Sequence, residues 1–147
     1  MNSLAIQGMI YSALAASTEL DAALARQRTI SGTLTTYPAI YDNVPQGVYG
    51  DDSAFPYIVI GDDSENTFNT DDSQGSDATV DIHIWSRQMG RAETKEIQSL
   101  VFDALSRQDL TIADKNLINI EQTTALTYLD PDGKTRHGVQ SFRVIVE

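Results

Sequence analysis

The amino-acid sequence predicts an α+β fold, a four-stranded antiparallel sheet with helices packed on one face. Three observations carry that expectation. The apolar pattern reads helix, helix, strand, strand, helix, strand, strand along 147 residues. Thr79 to Trp85 alternates strictly, with Val80, Ile82 and Ile84 on one side and Thr79, Asp81, His83 and Trp85 on the other, the period of a half-buried strand. The last two extended runs are joined by Asp130-Pro131-Asp132-Gly133-Lys134, whose Pro and Gly favour a reversing turn. With 41% hydrophobic residues the chain can bury one core and is too short for two ordinary domains, so residues 1–147 read as a single domain.

Ile6, Met9, Ile10, Ala13 and Leu14 repeat at three-four spacing and predict a first helix, with Ser3 as its cap. Thr18 and Asp21 form a capping-box-like start for a second, with Leu20, Ala23 and Leu24 on its buried side and Arg26 and Arg28 suited to its negative end. From 29 to 56 the text turns to Thr, Ser, Gly and Tyr punctuated by Pro38, Pro45 and Pro56, which predicts a long irregular segment. Tyr57 to Ile60 is β-branched and aromatic, a strand. The polar run 62–77, with Phe68 its one large apolar residue, predicts an acidic loop or an extended, mobile hairpin arm. A third helix follows over 91–106, with Ile97, Leu100, Val101, Ala104 and Leu105 on one stripe. A C-terminal hairpin pairs Asn116–Leu129 with Gly138–Val146.

Charge is concentrated. Between Arg28 and Arg87 there is no Lys or Arg but ten carboxylates, whereas outside that stretch eleven acids face ten bases. Nearly all of the formal net charge of −11 therefore belongs to one segment, a field that repels nucleic acid. The absence of cysteine excludes disulfides, thiolate zinc sites and a thiol nucleophile, and fits folding in a reducing cytoplasm. The start Met1-Asn2-Ser3-Leu4 has no basic cluster before an apolar run, and the reading is of a chain neither exported by a usual signal nor spanning a membrane.

No catalytic constellation is expected. There is no Gly-x-Ser-x-Gly turn, and Gly47, Gly50 and Gly61 form no phosphate cradle. The runs Asp62-Asp63-Ser64-Glu65 and Asp71 to Asp77 lack the glycine and glutamate spacing of a calcium loop. Carboxylates in an exposed loop without an apolar pocket do not make a glycosidase. His83 and His137 lie on strands that bring them near each other, but without a carboxylate at ligand spacing they read as surface residues, so no metal or cofactor is expected. Trp85 marks either a contact surface or a residue covered by a loop.

The succession Ile40-Tyr41-Asp42-Asn43-Val44-Pro45-Gln46, Phe55-Pro56-Tyr57-Ile58-Val59-Ile60-Gly61, Val80-Asp81-Ile82-His83-Ile84-Trp85-Ser86-Arg87, a helix, and Val139-Gln140-Ser141-Phe142-Arg143-Val144 resembles the tail-completion, or tail-terminator, proteins of long-tailed bacteriophages. Tyr11-Ser12-Ala13-Leu14 ends the preceding helix in keeping, so the resemblance spans nearly the whole chain. Gln27 to Tyr37 stands out as an insertion, and the acidic run is heavier than the resemblance requires.

The resemblance implies a structural virion protein of the tail-neck region, made in the host cytoplasm, with no catalytic residue and no cofactor. It implies a homo-oligomeric ring, hexameric, that caps the head-proximal end of the tail tube, ends tail growth and joins tail to head. Its partners would be copies of itself, the major tail tube protein, a head-completion or connector protein, and double-stranded DNA passing through without specific binding; no membrane is involved. The alternatives are another neck ring, for head completion or head-tail joining, and a small non-viral binding domain.

Within the ring reading, Asp62, Asp63, Glu65, Asp71, Asp72 and Asp77 are expected to face the bore or rim, where phosphates must be repelled. The competing use is a loop that keeps the protein soluble or orders against a partner. Tyr41, Val44, Tyr49, Phe55 and Trp85 are expected either to anchor a neighbouring subunit or to cover the chain's own sheet.

Overall fold

The computed structural model describes residues 2–30, 33–42, 54–69 and 74–147, and over 26–30 and 33–38 the backbone alone. Helix α1 (Ser3–Ala15) buries Ile6, Met9, Ile10 and Leu14. Ser3 is its first helical residue, not its cap, and Asn2 at the cap position makes no side-chain cap bond. Asn2 instead donates its backbone N–H to Glu65 Oε1 at 2.8 Å and its side-chain amide to Ser76 Oγ at 2.8 Å. The start of the helix is thereby tied to two distant strands.

Helix α2 (Thr18–Leu24) is capped one residue earlier than expected: Ser17 Oγ accepts from the Leu20 N–H at 3.2 Å. Glu19 and Asp21 lie in the first turn, where the helix dipole favours negative charge. The chain passes straight into β1 (Ala25–Ile30), so Arg26 and Arg28 belong to a strand. Strand β2 (Thr33–Pro38) pairs with it antiparallel from Ala25 opposite Pro38 to Ile30 opposite Thr33. The expected irregular segment thus begins with a hairpin: Thr29-Ile30 and Thr33-Leu34-Thr35-Thr36-Tyr37 are strand-forming residues around Ser31-Gly32.

The main sheet has five strands where four were expected, in the order β3-β4-β5-β7-β6. The added strand β3 (Ile40–Tyr41) is two residues long and runs parallel to β4 (Tyr57–Asn69), with Ile40 opposite Ile58. Strands β5 (Gln74–Ser86), β6 (Leu117–Leu129) and β7 (Arg136–Val146) complete an otherwise antiparallel ladder. Most of the run 62–77 is therefore paired strand out to Asn69 opposite Gln74, and 70–73 lies outside the described residues. Ladder hydrogen bonds need no apolar side chain, so an acidic sequence can continue a hairpin. Near its end the Phe68 ring lies over Gly75, so closely that a methyl group there would strike the ring.

Helix α3 (Ala92–Leu105) and the two N-terminal helices share one face of this sheet. Ile58, Ile60, Val80, Ile82, Ile84, Ile120, Phe142 and Val144 from the strands meet Ile6, Ile10, Leu14, Leu20, Leu24, Ile97, Val101 and Leu105 from the helices in one buried cluster. Residues two apart on a strand share a face, and their burial supplies the main stabilising term. Helix α3 comes closest at Gly138, where a methyl group would lie 2.7 Å from Gln98 Nε2 and 2.9 Å from Thr94 Cγ2. Gln98 itself bridges helix to sheet, donating to Leu126 O at 2.8 Å and accepting from Thr127 Oγ1 at 3.1 Å.

Candidate functional site

The opposite face of the sheet carries a row of rings. Tyr57, Trp85, His137 and Tyr128 lie directly opposite one another on β4, β5, β7 and β6. Trp85 stacks on His137 with centroids 3.7 Å apart and planes at 12°, and on Tyr57 at 6.4 Å. Tyr41 and Phe55 pack against Tyr57 at 5.9 and 5.0 Å, and the Arg87 guanidinium lies 4.4 Å above the Phe55 ring, a cation–π distance. Tyr57 is buried among Ala39, Ala54 and these rings.

One row along, His83 sits diagonal to His137, and the two imidazoles meet, Nδ1 of His83 to Nε2 of His137 at 2.8 Å. His137 continues to the Tyr128 hydroxyl through Nδ1 at 2.6 Å. The expectation that these histidines are surface residues is corrected: His137 is 6% exposed and His83 half-buried. The register of β5 and β7 makes them the cross-strand neighbours expected; it is their burial that spacing along the chain does not reveal. Burial, helped by the neighbouring His83, pushes the His137 imidazole down to about 4, so it is neutral at pH 7.

Beyond His83 the ladder slips by one residue between Gly61 and Asp63, and Asp62 takes a positive φ of 36° in the bulge. A bulge re-aims its side chain, and Asp62 Oδ2 lies 3.4 Å from His83 Nε2. Asp81, two residues from His83 on β5, accepts a 2.6 Å hydrogen bond from Ser141 Oγ at Oδ1. Each of Asp62, Asp81 and His83 offers one ligand atom within 4.8 Å of the others. The sequence reading missed this group because it depends on the bulge.

The expected bore-facing carboxylates have different settings. Asp62 and Asp63 are exposed on β4. Glu65 is half-buried; burial raises its pKa, but hydrogen bonds from Ser76, Asn2 and Ser3 outweigh it and leave the group below the usual range. Asp77 accepts two bonds from Arg143, at 3.0 and 2.6 Å, and these hold its carboxyl below the ordinary value. Asp71 and Asp72 lie outside the described residues, as do Val44 and Tyr49. Tyr41, Phe55 and Trp85 are half-buried on the chain's own sheet. On the outer strand β6, Ile118, Leu126, Tyr128 and Leu129 are exposed. No helix among the described residues is long and apolar enough to cross a membrane.

Residues 8–147 match the family described as tail completion protein gp17. The tail completion protein gp17 of Bacillus phage SPP1 is 32% identical over 127 residues, which span 85% of this chain and 94% of that protein. Among solved structures, a chain of the virion of a native gene transfer agent particle superposes with a TM-score of 0.79 at 24% identity, covering 99% of this chain and 96% of that one. That last likeness is one of fold.

Proposed function

Since this chain belongs to the tail completion protein gp17 family and is a structural protein of the phage tail, not an enzyme, we propose that it forms a hexameric ring closing the head-proximal end of the tail tube. In this reading the ring ends tube growth, presents the surface to which a head-completion protein docks, and lets DNA through without holding it. The observation that carries it is the family match over nearly the whole chain, 8–147, in a molecule whose acidic excess is concentrated between Arg28 and Arg87. A ring of like subunits needs a heterologous, closing contact. The exposed apolar residues of β6 at one end of the sheet and the short β3 beside β4 at the other are two unlike edges for it.

The charge has a mechanical use in such a ring. Double-stranded DNA exchanges its counterions for basic side chains and is held by them, so a passage lined by carboxylates stays unbound. Among the described carboxylates of the arm, Asp62 and Asp63 are the exposed ones, whereas the charge of Asp77 is balanced by Arg143. We assign Asp62 and Asp63, with Asp71 and Asp72 between β4 and β5 in the sequence, to the bore or its rim. Particles carrying Asn at these four positions are expected to assemble normally and eject DNA more slowly; unchanged ejection removes the lumen role. Deletion of the chain is expected to leave headless tails of irregular length. Tails of normal length still joined to heads would contradict the capping role.

A further inference from the structure

We propose that Asp62, Asp81 and His83 form a binding site for a divalent cation of the zinc class, which fastens the root of the β4–β5 arm to the middle of the sheet. The inference does not depend on the ring. One imidazole nitrogen and two carboxylates are a borderline set that suits Zn²⁺, with water completing the shell, and suits Ca²⁺ poorly. Bonds of 2.0–2.2 Å place tetrahedral ligand atoms about 3.3 Å apart. His83 Nε2 and Asp62 Oδ2 stand at 3.4 Å, and one ligand atom from each of Asp62, Asp81 and His83 lies within 4.8 Å of the others, so modest side-chain rotation closes the shell.

A second observation lies outside the three ligands. A ligating imidazole is held by a partner on its remote nitrogen, and His83 Nδ1 is already engaged with buried His137, which is engaged in turn with Tyr128. The proton order is consistent. With its Nε2 lone pair on the metal, His83 carries its proton on Nδ1 and donates to His137 Nε2. His137 then carries its own on Nδ1 and donates to Tyr128 Oη, whose hydroxyl proton turns elsewhere. Asp81 is steadied by Ser141 through Oδ1, leaving Oδ2 to the metal. Asp62 reaches the site because the bulge gives it a positive φ. A bound cation would join the arm's first exposed carboxylate, whose side chain is 83% exposed, to an imidazole that is 18% exposed, so it would stiffen the arm where it leaves the core.

The test uses the full chain, stripped with a chelator and dialysed, and titrated calorimetrically with ZnCl₂ at pH 7.5. One saturable site at micromolar concentration is expected, with binding to CaCl₂ weaker by at least about 10-fold. Asp62→Asn and His83→Gln should each lower zinc affinity by about 10–100-fold, and Tyr128→Phe, which changes only the outer partner, by about 10-fold. Asp62 is exposed, so its variant reads binding without disturbing the core. Asp71→Asn with Asp72→Asn should leave affinity unchanged. A Co²⁺-loaded sample should show the visible absorption of a nitrogen-oxygen site, lost in His83→Gln. No saturation below about 1 mM overturns the proposal. So does equal binding by the Asp62 and His83 variants, or loss of binding in the Asp71 and Asp72 variant.

Discussion

Replacing Gly138 by alanine tests how closely α3 is seated on β7. The added methyl group would stand 2.7 Å from Gln98 Nε2, 2.9 Å from Thr94 Cγ2 and 3.1 Å from Gln98 Cδ, whereas carbon contacts settle at about 3.5–4.0 Å. Thr94 is buried and β-branched, with a stiff χ1. Gln98 can swing away only by giving up its bonds to Leu126 and Thr127, each worth about 0.5–1.5 kcal/mol. Together with overpacking of about 1–3 kcal/mol, and against about 0.4–1 kcal/mol gained by restricting the unfolded chain, the net loss should be about 3 kcal/mol. For a chain of this size that lowers Tm by about 6–12 °C. Thermal unfolding of both proteins at one concentration reads it, and a Tm within about 1 °C of the parent would refute the close seating. In a Gln98→Ala background the same change should cost less by at least about 0.5 kcal/mol, the coupling expected of neighbours.

Other expectations follow from the caps, the rings and the buried imidazole. His137 has a folded pKa of about 4 against 6.5 for the unfolded chain, so unfolding takes up a proton between those values. In metal-free buffer its contribution is complete above about pH 6.5 and lost as pH falls to about 4, a ceiling of about 3 kcal/mol that partial solvation reduces to about 2 kcal/mol. Urea unfolding from pH 7 to 4.5 should show that extra slope in the parent and not in His137→Gln; parallel slopes would contradict it. Ser17→Ala should cost about 1 kcal/mol and Thr18→Ala much less, the reverse of what a Thr18 cap requires, by denaturant midpoint. Tyr41→Ala removes a ring packed on Tyr57 and should cost about 1–3 kcal/mol while leaving the sedimentation profile of the oligomer unchanged. A shift toward smaller species would make Tyr41 a subunit anchor.

The helices and the main strands were legible because burial imposes a period on them. Ile6, Met9, Ile10 and Leu14 repeat as a helix must, and Val80, Ile82 and Ile84 alternate as a strand must. Three things escaped for physical reasons. The β1–β2 hairpin is written in Thr and Arg rather than in alternating apolar residues, so it carries little periodic signal. Strand β3 is too short for any period, and its pairing with β4 is fixed by tertiary contact. The burial of the imidazole pair and the Asp62 bulge depend on register between strands, which one-dimensional spacing does not encode, although the approach of the two histidines was expected. For the contact residues, aromatic character at Tyr41, Phe55 and Trp85 identified side chains that bury area; that they do so on their own sheet required the fold.

The most direct measurement for the ring reading is a cryo-electron map of intact particles resolved enough to trace this chain. The ring account predicts six copies in one layer at the head-proximal end of the tail tube, with the 62–77 arm turned toward the central passage. Copies elsewhere in the particle, or arms on the outer wall away from the axis, would contradict it.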